Sequence, residues 1–270
     1  MPENSKIGFI GAGTMGRAII RGLINSSFID KKNIIASEVS EQLAGKVSEE
    51  LEISVITDNI EIAKNSDVII LCAKPFAVKG ILQQIKDFLS ADKIIVSIAA
   101  GMDTGFIESV LEKEIPVIRV MPNTPALVGE GMTAVCRGKY ATKEQAEFIV
   151  KLFSQVGRCI EIDEKYINAV TGISGSGPAF IYLIIEALAD GGVKLGLPKK
   201  IAIELAAQTT LGAAKMVIET GKHPSVLKDE VTTPGGCTIA GLMVMEENKV
   251  RSTLAKTVQE TAKVALNLGK

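Results

Sequence analysis

Near the amino terminus, Ile7-Gly8-Phe9-Ile10-Gly11-Ala12-Gly13-Thr14-Met15-Gly16 sets three glycines in the spacing G-x-G-x-x-G. The chemistry open to that spacing is phosphate binding by the backbone. Gly11 allows a tight turn, Gly13 lets the main chain approach a pyrophosphate, and Gly16 permits close packing of a helix on a strand. The exposed N–H groups and the positive end of the following helix then hold the phosphates. Glu38, 22 residues after Gly16, ends a second apolar run, where an acid hydrogen-bonds the adenosine ribose hydroxyls. A carboxylate there repels a 2′-phosphate, and no Arg or Lys follows until Lys46, which favours NADH over NADPH. The competing reading of Glu38 is a solvated acid that opens the next helix beside Ser37 and Ser40.

Other candidates stand after later apolar runs. Cys72-Ala73-Lys74-Pro75 and Ser97-Ile98-Ala99-Ala100-Gly101 are small enough to leave room for a ribose and a nicotinamide against the backbone. Lys74 can reach a phosphate or a substrate charge, and it reads equally well as a structural lysine ahead of a helix. Met121-Pro122-Asn123-Thr124-Pro125 is a rigid turn with polar groups toward the same crevice. In the second half, residues 170–179 (VTGISGSGPA) and 228–238 (KDEVTTPGGCT) are polar, rich in glycine and followed by apolar helices. Each offers free N–H groups at a helix start, an anion site suited to a substrate carboxylate. Either alone reads as a capping loop, but two of them beside a dinucleotide motif favour ligand binding. His223, the single histidine, precedes Pro224 at a helix start and reads as structural rather than catalytic.

The elements that must position these groups follow from periodicity. Short runs rich in Ile and Val predict strands at 7–10, 34–37, 54–56, 68–72, 94–98 and 117–120, with two more near 132–136 and 158–162. Helices are expected between them at 15–25, 40–50, 76–89, 104–111 and 143–155. This alternation predicts an α/β domain, a Rossmann-type doubly wound parallel sheet, over residues 1–163. Beyond 164 the strand signal vanishes, and helices are expected at 178–195, 198–219, 225–230, 236–248 and 250–268. Several of these are apolar around most of their circumference. Residues 164–270 therefore predict an all-helical substrate-binding domain that also forms the dimerisation and oligomer interface.

Composition narrows the function classes. A chain of 270 residues suits two domains sharing a site, and 47% hydrophobic residues can fill a large core with apolar surface left over. Lys plus Arg (30) nearly cancels Asp plus Glu (31), and aromatics are 4% with no Trp, so no nucleic-acid partner is expected. The opening residues, Met1-Pro2-Glu3-Asn4, lack the pattern of a secretory leader. The most apolar later stretch, 179–189, is interrupted by Glu186 and is too short to span a bilayer, so no membrane partner is expected. Cys72, Cys136, Cys159 and Cys237 fall in no metal or disulfide spacing, which implies reduced thiols, no metal and a cytoplasmic protein.

Taken with these motifs, the chain closely resembles the pyrroline-5-carboxylate reductases, over 7–16, 73–75, 96–101, 119–125, 170–179, 187–193, 212–216, 223–224 and 233–239. The two C-terminal motifs are the distinctive ones. The resemblance implies reduction of Δ1-pyrroline-5-carboxylate to L-proline, the last step of proline biosynthesis, with NADPH or NADH, in homodimers assembled into decamers. It implies that Gly11, Ala12, Gly13, Thr14 and Met15 hold the pyrophosphate. Glu38, Asn59, Ala73 and Lys74 would line the adenosine and ribose side, and Ala100 the nicotinamide. It also implies that the amides of Cys237 and Thr238, after Gly236, receive the substrate carboxylate. Ser176 and Glu164 would lie on the substrate side, and the Thr238 hydroxyl, the catalytic candidate, near the ring nitrogen. Family members often carry a small or basic residue where Glu38 stands, and some carry Asn where Glu230 stands.

Hydride adds to C=N more easily when the nitrogen is protonated, and Thr238 is placed to hydrogen-bond that nitrogen as an amine develops. A β-hydroxyacid dehydrogenase is the enzymatic alternative. Such enzymes carry a catalytic Lys on the helix after their inter-domain glycine motif, whereas here no Lys follows Gly177 until Lys194. A non-catalytic dinucleotide sensor is the other alternative, opposed by the intact 174–177 and 233–238 segments.

Overall fold

The computed structural model describes residues 5–267. Met1–Asn4, on which the leader reading rests, and Leu268, the expected end of the last helix, lie outside them.

The first eight apolar runs form strands β1 (Ile7–Ile10), β2 (Ile34–Ser37), β3 (Ser54–Ile56), β4 (Val68–Leu71), β5 (Ile94–Ser97), β6 (Val117–Met121), β7 (Gly131–Arg137) and β8 (Gly157–Glu161). They make one sheet in the order β3-β2-β1-β4-β5-β6-β7-β8. Strands β1 to β6 are parallel, as expected, because a helical crossover joins each to the next. The last two are reversed. β7 pairs antiparallel with β6, and β8 runs parallel to β7. Only the short turn Thr124–Val128 joins β6 to β7, too little chain for a crossover, so the strand must turn back.

Helices α1 (Thr14–Asn25), α2 (Glu41–Leu51), α3 (Asn59–Asn65), α4 (Pro75–Ile85), α5 (Thr104–Leu111) and α6 (Lys143–Phe153) cover both faces. Alternation along each strand supplies two cores. Ile7, Phe9 and Ile70 pack with Ile19, Leu23 and Ile149 on one face. Ile10, Ile69 and Leu71 pack with Leu82, Ile85 and Ile107 on the other. Helix α3 is absent from the sequence reading. It spans seven residues and is nucleated by the Asp58 side chain, which accepts from Ile60 N at 2.8 Å.

From Glu164 to Lys194 the chain is helical throughout. It passes through α7 (Ile167–Val170), one wide π turn (Thr171–Gly175) and α8 (Gly177–Lys194). This corrects the expectation of a glycine-rich loop with free amides at 170–179. Ser176 N already donates to Thr171 O at 2.9 Å. Thr171 Oγ1 and Ser174 Oγ bond the carbonyls of Ile167 and Val170. Small residues that favour turns are held in a helix here because side-chain back-bonds and the wide turn satisfy the backbone.

The described residues up to Ser176, together with those from Glu260, form one compact unit, and Gly177–Gln259 form a second. The second holds α8, α9 (Lys199–Thr220), α10 (Pro224–Glu230), α11 (Cys237–Glu247) and most of α12 (Val250–Ala265). Helices α8 and α9 meet through Ala189, Ala202 and Ala206. Large apolar side chains such as Leu183, Leu211 and Met243 point outward. Glu164–Lys194 and Lys199–Thr220 are long and apolar enough, by length and composition, to cross a membrane. The first is far longer than the apolar stretch read from sequence. Glu186 and Asp190 on α8, the latter paired with Lys199 of α9, are charges that a bilayer would penalise.

Candidate functional site

The glycine turn closes on the carboxyl ends of β1, β2 and β4. Gly11 has φ +93°, a left-handed conformation that favours glycine, and its N–H donates to Ser37 O at 2.9 Å. Gly13 is the N-cap of α1 with no side-chain cap, and a Cβ added there would meet nothing within 4 Å. The first-turn amides of α1 therefore face open space, as an approaching pyrophosphate requires. Beside the turn lies a crevice of about 410 Å³, lined by Gly11, Gly13, Glu38, Asn59, Ala73 and Lys74 among others.

Glu38 crosses to the glycine turn, accepting from Ala12 N at 2.8 Å through Oε1 and from Val39 N at 3.3 Å through Oε2. Ala12 itself is buried. Asn59 is held from two sides: its Oδ1 accepts from Ser37 Oγ at 2.7 Å, and its Nδ2 donates to Gln84 Oε1 at 3.0 Å. Lys74 is exposed as the N-cap of α4. Cys72 also lines the crevice; burial, with the charge of Glu38 adding, pushes its thiol up to about 12. It stays a neutral thiol at physiological pH.

Among the other expected residues, Thr14 is exposed as the first residue of α1, while Met15 packs against the core. Ala100 sits in the turn after β5 and does not line the crevice. Several crevice residues escaped the sequence reading, Val39 and Phe76 the most exposed of them. Val39 and Phe76 are 90% and 87% exposed at the mouth, apolar walls of the kind that sandwich a flat ring. Their signal in the sequence was only a bulky apolar residue shortly after a strand, Val39 next to Glu38 and Phe76 after Lys74-Pro75, a pattern shared by many packing positions.

Glu164 is bound within the first unit. Its Oε1 accepts from Thr104 N at 2.9 Å and Arg119 NH1 at 3.1 Å, and its Oε2 from Thr104 Oγ1 at 2.6 Å. Thr104 opens α5, so the carboxylate acts as a tertiary cap on that helix. Burial and the charge of Glu164 push the neighbouring Cys136 thiol up to about 12, partly offset by Arg119. Asn123 Nδ2 donates to Ser174 O at 2.9 Å, two residues before Ser176, and its Oδ1 accepts from Met132 N at 2.8 Å.

In the second unit, Thr233–Gly236 turn sharply into α11: Gly236 N donates to Thr233 O at 3.1 Å, and Gly235 has φ +67°. The N-cap Gly236 supplies no side-chain cap, and Cys237 is exposed. Thr238 follows as the second helical residue, half-buried. The amides of this turn suit an anion. His223 is an N-cap, its Nδ1 accepting from Ser225 N at 3.2 Å, in keeping with a structural role.

Comparison with known proteins agrees with this architecture. Residues 164–268 match the family model for pyrroline-5-carboxylate reductase dimerisation, and residues 6–101 the model for coenzyme F420-dependent NADP oxidoreductases. A pyrroline-5-carboxylate reductase of Methanosarcina acetivorans is 44% identical over 99% of both chains. The solved structure of a pyrroline-5-carboxylate reductase from Coxiella burnetii superimposes with a TM-score of 0.94, at 35% identity over 99% of both chains. The pyrroline carboxylate reductase of Plasmodium falciparum, solved with NADP bound, has a TM-score of 0.89 at 34% identity, covering both chains fully.

Proposed function

Since the chain belongs to the pyrroline-5-carboxylate reductase family, we propose that it reduces the C=N bond of Δ1-pyrroline-5-carboxylate to give L-proline, closing proline biosynthesis. It is an NAD(P)H-dependent oxidoreductase that binds a nicotinamide dinucleotide. The observation that carries the assignment of the cofactor site is the open, uncapped turn at Gly13 beside the crevice that Glu38 and Asn59 line.

Gly11, Ala12, Gly13, Thr14 and Met15 would form the pyrophosphate turn, Gly11 and Ala12 shaping it through their bonds to Ser37 and Glu38, and the N–H groups of Gly13, Thr14 and Met15 donating to the phosphates. Glu38, Asn59, Ala73 and Lys74 would take the adenosine and ribose side, and Ala100 the nicotinamide. When bound, the reduced nicotinamide supplies the hydride. The amides of Cys237 and Thr238, after Gly236, receive the substrate carboxylate, with Ser176 and Glu164 on the substrate side. The Thr238 hydroxyl hydrogen-bonds the ring nitrogen and stabilises it as the amine develops. Holding the imine carbon in line contributes at best about 7–11 kcal/mol of the barrier. Because Glu38 is a carboxylate at the ribose position, NADH is the better cofactor.

Residues 1–163 serve the dinucleotide, and 164–270 the substrate and the assembly. The outward apolar faces of α8 and α9 are covered by a second copy, in a homodimer that assembles further into a decamer. The protein works in the cytoplasm, where its four thiols stay reduced. The deciding measurement is oxidation of NADH and of NADPH, side by side, on addition of pyrroline-5-carboxylate. Loss of absorbance with product L-proline is expected, faster with NADH. No substrate-dependent oxidation with either cofactor would refute the assignment.

A further inference from the structure

Strand β6 sends two polar side chains into the interior, where an apolar strand would pack more simply. Arg119 is 6% exposed and Asn123, just past the end of the strand, is 8% exposed. Both hold the same helical stretch. Arg119 bonds Glu164 at its start, and Asn123 bonds the Ser174 carbonyl near its end. Glu164 in turn holds both the N–H and the hydroxyl of Thr104, four residues beyond Ala100.

The π turn sits where this second bond forms. The i+4 partner of Ser174 is Pro178, which has no N–H to donate, so the Ser174 carbonyl is free to accept from Asn123. The backbone approaches closely as well: a Cβ on Gly175 would fall 2.7 Å from Met121 Cε. Apolar packing could hold a helix on the sheet, but it would not fix its rotation and register. Directional bonds at both ends do.

We propose that Arg119 and Asn123 are positioning residues for the reduction. Through Glu164 and through the Ser174 carbonyl, they lock residues 164–176 to the carboxyl edge of the sheet, in register with the turn that carries Ala100. This rests on the reading that Ala100 borders the nicotinamide and Ser176 the substrate. In that reading Glu164 serves the reaction through Thr104 and Arg119 rather than by touching substrate. Ligands lie beyond the carboxyl ends of parallel strands, so a shift of this stretch misaligns the reacting atoms without emptying the cofactor crevice.

The test compares Asn123→Ala, Thr104→Val and Thr104→Ser with the unaltered oligomer. Thr104→Val removes only the hydroxyl bond to Glu164, and Thr104→Ser restores it. The expected result is a fall in kcat of about tenfold to a hundredfold for Asn123→Ala and about fivefold for Thr104→Val. The NADH dissociation constant, read by fluorescence, should stay within about twofold, and Thr104→Ser should recover the rate. Hydrogen exchange should quicken at 98–104 in Thr104→Val and at 171–176 in Asn123→Ala.

Unchanged kcat in folded variants would overturn the proposal. So would a rate loss that tracks lost cofactor affinity, or one that Thr104→Ser does not rescue. Should Asn123→Ala fail to fold, the two Thr104 variants decide alone. If the unaltered enzyme does not turn over pyrroline-5-carboxylate, the functional reading falls by itself. The exchange data then judge the lock, which fails if neither segment loosens.

Discussion

Replacing Glu38 by Ser tests the cofactor crevice at the residue where charge and geometry are both defined. Its carboxylate lies 2.8 Å from Ala12 N, so it occupies the gap between the glycine turn and the end of β2. Like charges about 5 Å apart repel by about 1 kcal/mol in water and about 3 kcal/mol at an effective dielectric near 20. Glu38 is half-buried at an open crevice, which puts the penalty on a 2′-phosphate between those values. That corresponds to about fivefold to a hundredfold discrimination against NADPH. Serine removes the repulsion and also forfeits a charge-assisted hydrogen bond to the ribose, worth about 1.5–3 kcal/mol. Both changes move the ratio of kcat/KM for NADPH to that for NADH in the same direction, and a rise of at least about tenfold is expected. The assay follows nicotinamide absorbance with each cofactor, at low and at high salt. In the parent enzyme the disadvantage of NADPH should shrink as salt screens the repulsion. A ratio unmoved by Glu38→Ser, in a protein whose melting temperature is preserved, would refute the reasoning.

Two neighbouring glycines, Gly13 in the phosphate turn and Gly8 inside β1, should respond in opposite ways. Gly13→Ala meets no protein atom within 4 Å, so its melting temperature should hold while KM for the cofactor rises. Gly8→Ala puts a Cβ 2.2 Å from Ser66 Oγ and 2.5 Å from Ile62 Cγ2, and overpacking of this kind should cost about 1–3 kcal/mol or more in thermal unfolding. Equal behaviour of the two would contradict the geometry. Thr238→Ala should lower kcat/KM about tenfold or more while the fold is kept, and unchanged steady-state kinetics would remove its hydroxyl from the mechanism. Burial pushes the thiols of Cys72, Cys136 and Cys159 up to about 12, so an alkylating reagent at neutral pH should modify the exposed Cys237 first, as read by mass spectrometry. Because those thiols hold their protons in the folded state to a higher pH than in the unfolded chain, stability should fall as pH rises above about 9. A melting temperature flat across that range would count against their burial.

The sheet was legible because its strands are short runs of Ile and Val buried on both faces. The bounds of β1, β2 and β3 match the periodicity residue for residue. The direction of β7 was not legible, since strand propensity carries no sign; the brevity of the β6–β7 connection decides it. At the site, the glycine spacing located the phosphate turn, and a strand-ending acid located Glu38. Val39 and Phe76 were invisible because exposed apolar residues resemble packing residues until burial is known. Residues 170–179 misled for a physical reason: Thr, Ser and Gly favour turns locally, yet tertiary bonds from Asn123 and close packing on Met121 hold them in a helix.

What the sequence determined by itself is local and periodic: which residues alternate, where a backbone must turn tightly, and which helix starts lack a cap. Those properties depend on neighbours a few positions apart, and they were enough to point to the family. The tertiary structure alone decided what joins distant positions. It brought Glu38 to Ala12, Glu164 to Thr104 and Arg119, and Asn123 to the Ser174 carbonyl. Such bonds span dozens of residues, and a hydrogen bond is selected by distance and angle in the folded chain, which no spacing along the sequence encodes.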